Sequence, residues 1–388
     1  MNKTYLFALG TLLIASSCMK EKNLTVTVTN TTDILRNTEI VELVWDEIKG
    51  QINLNKGETF VILDEQGQQV TYQLVNYGNE EPQLLIFPVN VKANDKSVYK
   101  ITKGKPEEFV RQAEVNFVPQ RKDDISWENN RVAYRMYGPA LEADPRESLI
   151  SGGIDFWAKR TPNMVTQKWY KDDLAGVKSY HSDSGEGLDF YAVGKTMGAG
   201  SAAPILGDTV YYISHNFQSH EILDNGPLRI VFKLTYAPYE AAGQEVNETR
   251  LVSLDAGSNL NKIIENYGHI KNSMTVGAGF PYYNNENIIF NAPMGYMTYS
   301  QPEDVKNGTI YLGVVSDTEL IESRILDKQV FATMNYIPSY SEAGGMVYYS
   351  GAGWSKGGFP TFQDWTNYVK EFSFKIRNPL IVAVSSEL

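Results

Sequence analysis

Cysteine is almost absent: Cys18 is the only one in 388 residues. The body of the chain therefore has neither disulfides nor a thiolate metal site to draw on. Histidine is nearly as scarce, with His181, His215, His220 and His269. His215 and His220 lie five apart, Asn216 stands where a metalloprotease helix needs Glu, and on a strand the two would face opposite ways. No metal and no cofactor is expected. An excess of basic residues is also missing. Lysine and arginine total 35 against 46 acids, a net charge of −11. That balance excludes an extended nucleic-acid face yet allows a local cationic pocket for an acidic glycan. The chain shows no repeat of fixed period, no long helical periodicity, no G-x-S-x-G elbow and no phosphate-binding loop between a strand and a helix. Solenoids, helical bundles, serine-triad hydrolases and nucleotide-binding folds are set aside accordingly.

An apolar run near the start is a targeting signal. Lys3 precedes "YLFALGTLLIA", which is too short to span a bilayer and ends in "SSC". Residues 1–18 read as a lipoprotein signal peptide, with Cys18 acylated as the first mature residue and "MKEKN" as a polar tether. The expected location is the cell envelope, on the outer membrane.

What the chain does have is alternation. Short runs such as "LTVTVTN" (24–30), "QVTYQLVNY" (69–77), "QLLIFPVNV" (83–91), "LRIVFKLTY" (228–236), "TIYLGVVS" (309–316) and "VKEFSFKI" (369–376) switch apolar and polar residues at period two. Gly, Asn, Asp and Pro punctuate them, and the 24 tyrosines suit strands and polar binding surfaces. The pattern predicts an all-β protein. A small N-terminal β-sandwich is expected over 24–115, and a larger C-terminal β-supersandwich of the galactose-mutarotase-like kind, carrying the site, over 120–388. "KGKPEEFVRQAE" (103–114) reads as a polar linker with a helical turn. Short helices are expected at "SNLNKIIENYG" (258–268) and "FQDWTNYVKEF" (362–372).

Candidate chemistry gathers in four stretches. In "ENNRVAYRMYGPAL" (128–141) a strand would put Arg131, Arg135 and Tyr137 on one face and Tyr134 and Met136 on the other. Arginine is well shaped to grip a carboxylate or sulfate, so Arg135, helped by Arg131, is expected to bind an anionic group. "GGIDFWAKRTPN" (152–163) offers Trp157 as a sugar platform and Lys159 as a cation. "YHSDSGEGLDFYAVGKTMGAGS" (180–201) surrounds His181 with Asp183, Glu186, Asp189 and Lys195, and its glycines would let a ligand approach the backbone. His181 is expected to be a general base or acid, because imidazole passes protons both ways near neutral pH. His215 and Tyr134 are the further catalytic candidates. "YYSGAGWSKGGFPTFQDW" (348–365) repeats the composition with Trp354 and Lys356.

These stretches, together with "NGPLRIVFKLTY", resemble a family of Bacteroidota lipoproteins catalogued as domain of unknown function 4861, over roughly residues 24–388. The resemblance implies a place in polysaccharide utilisation and action on uronate-containing oligosaccharides, by a dehydratase- or lyase-type elimination. Such an elimination needs a cation to neutralise the carboxylate, a base to take the C5 proton and an acid for the C4 oxygen. Arg131, Arg135, Lys159 and Lys195 fit the first role; His181, His215 and Tyr134 or Tyr137 fit the others. Two other classes fit the same residues: a glycoside hydrolase using Glu186 and Asp189, and a non-catalytic glycan-binding lipoprotein presenting Trp157 and Trp354.

Overall fold

The computed structural model describes residues 23–386, apart from 53, 148, 214, 269, 273, 284–285 and 337–344. Cys18 lies outside the described residues. No helix among them is long and apolar enough to cross a membrane.

The strand Leu24–Asn30 shows why the N-terminal part folds as a sandwich. Its leucine and valines alternate with threonines, and Leu24, Val26 and Val28 are fully buried while the threonines face out. This strand lies in a five-stranded sheet beside Asp95–Lys103, with Phe60–Leu63 and Gln69–Val70 beyond. The hairpin at "DEQGQQ" joins the last two. A three-stranded sheet of Arg36–Val44, Leu84–Val91 and Gln73–Val75 closes over it, and Phe87, Val89 and Val91 meet Val26, Val28 and Ile101 in one core. The fifth strand of the first sheet is the C-terminal Ile381–Ser386, paired antiparallel with Leu24–Asn30. The expected division at 24–115 and 120–388 is corrected here, because the chain returns to the N-terminal sandwich to cover an edge that would otherwise expose unpaired backbone. The linker 104–112 runs without the expected helical turn.

The remainder is all-β as expected. A nine-stranded antiparallel sheet runs from Ser219–Asn225 through Arg229–Thr235, Gln244–Asp255, Leu260–Gly268, Met346–Trp354 and Ile310–Val315 to Tyr296–Ser300 and Ile288–Asn291, with Tyr239–Ala241 paired to Gln244–Asp255. Two five-stranded sheets share its core. One contributes Trp127, Tyr134 and Phe156, the other Ala202, Val276 and Phe280, and the large sheet contributes Phe232, Val252 and Tyr348.

The helix Phe362–Arg377 packs beside Tyr296–Ser300 and Ile310–Val315 through Trp365 and Val369. Thr361 caps it in a reciprocal box with Asp364. The alternation over 369–376 was therefore no strand: Val369, Phe372 and Ile376 also satisfy a spacing of three and four, and the cap decides between the periods. The opposite correction applies at 258–268. Leu260–Gly268 is a strand in which Asn261, Ile263, Glu265 and Tyr267 are buried in alternation. Two of those four are polar, so period two was hidden from a hydropathy pattern.

Candidate active site: a buried arginine beneath an exposed histidine

The site lies on the five-stranded sheet made of Ala113–Val118, Asp124–Asn129, Ala133–Met136, Asp155–Lys159 and Gly187–Leu188. Alternation sends Tyr134 into the main core and Arg135 to the opposite face. That face is not solvated. The helix Thr166–Leu174 and the loop at Tyr180 cover it, and Val118, Ala133, Trp157, Val165, Trp169, Tyr170 and Tyr180 pack into a second core.

Arg135 is 4% exposed and lies in register with Asp155. Its Nε and Nη2 donate to Asp155 Oδ2 at 2.8 and 2.5 Å, and Nη2 also donates to Asp189 Oδ2 at 3.0 Å. Asp124 lies 3.9 Å from Nη1. Tyr137 donates its hydroxyl to Asp155 Oδ2 at 3.0 Å, and the guanidinium sits 5.0 Å from the ring centres of both Tyr137 and Trp157. One cation thus stands among three buried carboxylates. Burial pushes Asp124 up to about 7 against the pull of Arg135 and Arg121. Burial, then the Asp155 charge, raises Asp189 well above the carboxylate range. Oδ1 of Asp124, Oδ1 of Asp155 and Nε1 of Trp157 are buried without a hydrogen-bond partner among the described residues.

His181 is the surface outlet of this cluster. Its side chain is 61% exposed, its ring lies 4.5 Å from that of Tyr180, and its Nδ1 is 3.0 Å from the Asp189 carbonyl oxygen and 3.6 Å from the Asp189 carboxylate. A carbonyl only accepts, so Nδ1 carries the proton and Nε2 of the neutral ring is left with the lone pair. Arg121 donates from Nε to the Tyr180 hydroxyl at 3.3 Å, which places a second cation at the far end of the tyrosine ring, with Glu147 3.7 Å from its Nη1. The arrangement can hold an imidazole in one tautomer at the surface and move a proton through Nε2. Among the described residues no group of three or more His, Cys, Asp or Glu is placed to hold a metal ion.

The family model described as Domain of unknown function (DUF4861) matches residues 28–382. The chain belongs to this family. The DUF4861 chain is also 31% identical over 402 residues to the uncharacterised protein P7 of Formosa agariphila, covering 98% of both chains. Among solved structures it resembles a protein in glycosyl hydrolase family 38 from Enterococcus faecalis, with a TM-score of 0.51 and 11% identity. That match covers 94% of this chain and 47% of the other. An alpha-mannosidase from Enterococcus faecalis matches with a TM-score of 0.47 and 9% identity, over 94% and 46% of the two chains. The DUF4861 chain thus spans about half the length of these neighbours, and at 11% identity the likeness to the family 38 protein is one of fold.

Of the residues singled out in the sequence, His181, Asp189, Arg135, Tyr137 and Trp157 come together in this DUF4861 cluster. Arg135 does so in a different role. Its donors are taken by the protein's own carboxylates, so it does not present a free fork to a ligand. Trp157 is fully buried beneath it and is no sugar platform. Arg131 lies outside the strand, exposed in the turn before Ala133–Met136, so the two arginines do not form one binding face.

The other candidates are placed elsewhere. Tyr134 is fully buried, donates to Asn259 O at 2.6 Å and accepts from the Ala352 N–H at 3.0 Å, and burial drives its pKa far up. It is a core tie and not a proton-transfer group. Lys159 is buried with Nζ 2.6 Å from both Glu128 Oε2 and Asn129 O, and burial lowers its pKa. Glu186 pairs with Lys168 at 2.7 Å, which holds its pKa down. Trp354 is 1% exposed and donates to Asn307 O. Lys356 is exposed and donates to Lys306 O. Lys195 is exposed in a turn. His215 sits at the surface 2.6 Å from Glu142 Oε1, in its own dyad. His220 stacks on Phe117. The glycines of 194–200 serve packing in part: a Cβ on Gly198 would lie 2.2 Å from Ile154 O, and on Gly200 2.4 Å from Ser350 Cβ.

Sequence reading gave no role to Asp124, Asp155, Tyr180 or Arg121. The available signal was an acid inside an apolar strand, as in "GIDFW" and "DDISW". It also missed a fully buried trio, Arg250 with Glu248 and Glu265. Arg250 Nη1 donates to Gly152 O and Ser201 Oγ, tying the two glycine-rich segments to the large sheet.

Proposed function

We propose that the protein is a carbohydrate-active enzyme that acts on acidic, uronate-containing oligosaccharides by elimination, with His181 as the proton-transfer group. The observation that carries this reading is an exposed imidazole whose Nδ1 is fixed by Asp189, leaving Nε2 free to react. The β-fold shared with a glycosyl hydrolase family 38 protein supports a sugar as substrate. In the reaction Nε2 takes the C5 proton, the C5–H electron pair becomes the C4=C5 double bond, and the C4–O bond breaks. The imidazolium then returns its proton to the departing oxygen, which requires both groups on one face of the sugar. Arg121 supplies the positive charge that makes C5–H acidic beside the carboxylate. Arg135 acts from below, holding Asp189 and through it His181.

The test follows the product. The protein is incubated with uronate oligosaccharides, and the ultraviolet absorbance of the conjugated C4=C5 uronate is recorded. Appearance of the chromophore supports elimination. New reducing ends without it would make the protein a glycosidase instead, and neither signal would make it a binding protein. Acylation at Cys18 and an outer-membrane location belong to the same proposal.

A further inference from the structure

We propose that a cleft between the strand Ala113–Val118 and the helix Thr166–Leu174 binds a pyranose bearing an anionic group. It would be the sugar next to the one processed at His181. The inference rests on the functional reading above for its position in the substrate, and on its own chemistry for its ligand. The cleft holds about 460 Å³, a volume suited to one or two sugar residues. Its apolar wall includes Phe117, whose ring is backed by His220 at 4.1 Å. A ring held in this way offers a rigid face to the C–H side of a pyranose.

The polar groups decide the class of sugar. Lys171 is exposed and is the only charged side chain among the described residues lining the cleft. No acid lines it to neutralise that ammonium. Gln120 also lines the cleft and is exposed, and its amide has no hydrogen-bond partner among the described residues. The cleft of about 440 Å³ beneath the N-terminal sandwich differs, since Glu39, Glu42 and Asp255 line it beside its cations and two of them hold Arg229. An unpaired lysine beside an aromatic face suits a carboxylate or sulfate carried on a sugar ring, with the ammonium acting as a point charge.

Two buried rings separate the cleft from His181. Tyr170, in the wall of the cleft, has its ring 5.9 Å from that of Tyr180, which lies 4.5 Å from the His181 ring. Arg121 follows Gln120 in sequence and donates to the Tyr180 hydroxyl, so a cation lies along the way.

Binding can be read without turnover. The full chain carrying His181→Ala is titrated calorimetrically with a uronate disaccharide, a sulfated disaccharide and a neutral disaccharide, and the titrations are repeated with Lys171→Gln added. Circular dichroism checks that both variants are folded, and Lys171 is exposed enough for its replacement to be tolerated. We expect at least one anionic disaccharide to bind, with Kd weakened about tenfold or more by Lys171→Gln, and Lys171→Arg to retain most of the affinity. Whichever anionic sugar shows the loss identifies the group as carboxylate or sulfate. Equal affinity with and without Lys171, a neutral sugar bound as tightly as the anionic ones, or no binding at all would each overturn the proposal. None of these outcomes depends on elimination, which is judged by the chromophore alone.

Discussion

Replacing Arg135 with leucine separates a structural arginine from a substrate clamp. The substitution removes the one cation held between Asp155 and Asp189, with Asp124 close by. Leucine fills part of the volume but leaves three buried carboxylates facing one another. Removing one partner of a buried ion pair costs ~3–5 kcal/mol, a large share of a total of ~5–15 kcal/mol. At ~2–4 °C per kcal/mol the melting temperature should fall by roughly 6–20 °C. The loss should depend on pH. Arg135 pulls Asp124 down against burial, so its removal raises that pKa further. An acid whose folded pKa lies above its unfolded value stabilises the fold below the unfolded value and loses that contribution as pH rises through the folded one. The Asp124 part of the deficit should therefore be level from about pH 4 to about pH 7, where both proteins lose this contribution alike, and grow above about pH 7, where wild-type Asp124 has ionised and the variant's carboxyl has not. Arg135→Lys keeps the charge without the planar fork and should fall between the two. Thermal unfolding across that pH range is the assay. A leucine variant within ~0.5 kcal/mol of the parent that nevertheless loses binding of acidic sugars would refute the reasoning and restore Arg135 as a ligand-facing group.

Four further outcomes are expected. His181→Ala should lower turnover by ~10²-fold or more with the melting temperature unchanged; near-normal activity would move the search to the His215–Glu142 dyad. Asp124→Asn should flatten the stability–pH profile: the wild-type carboxyl, raised to about 7, favours the fold most below its unfolded value and loses this on the way to neutral pH. The Asn variant should gain on wild type by ~2–4 kcal/mol between the two limits, at ~1.4 kcal/mol per pKa unit, and parallel unfolding profiles would contradict this. Tyr134→Phe strands the Asn259 carbonyl and the Ala352 N–H, so unfolding should show a loss of ~1–3 kcal/mol with kcat intact; a stable but inactive variant would return Tyr134 to the chemistry. Cys18→Ala should leave the protein unlipidated and free of the membrane fraction, which intact mass and fractionation will show.

Much of the fold was legible where alternation involves apolar residues, as in Leu24–Asn30, whose threonines mark the outer face. It was illegible where the inner face is polar. Leu260–Gly268 buries Asn261 and Glu265, because Asn261 accepts from Trp127 Nε1 at 2.7 Å and Glu265 accepts from Arg250. Neither partner is near in sequence, so the pattern looked helical. The two faces of Ala133–Met136 were read correctly, yet a face bearing Arg135 looked solvated, since nothing local announces that the helix Thr166–Leu174 and Tyr180 cover it. For the same reason Trp157 and Trp354 looked like platforms. Burial is a property of what packs on top, and the residues that do so lie tens of positions away.

Three of the four arginines buried among the described residues share one physical arrangement, the exception being Arg36, which pairs with Glu39 on its own strand. Arg135 stands directly opposite Asp155, Arg229 opposite Asp255 and Arg250 opposite Glu265, each across an antiparallel pair of strands. Opposite charges at facing positions support a ladder modestly. Their greater effect is on alternatives: a slip of one residue would turn each arginine to the other face and leave a buried acid without its cation, at several kcal/mol. The pair at Arg135 matters most as a register lock, because Asp124–Asn129, Ala133–Met136 and Asp155–Lys159 are buried on both faces and their apolar positions alone would tolerate a shift. Arg229 and Arg250 bind acids of the large sheet, with Glu42 of the N-terminal sandwich also reaching Arg229. Arg135 alone among the three has a further carboxylate, Asp189, that contacts an exposed histidine. The proposed site is thus an extension of a register lock: the strand pairing fixes Arg135 and Asp155, these fix Asp189, and Asp189 fixes the tautomer in which His181 meets the solvent.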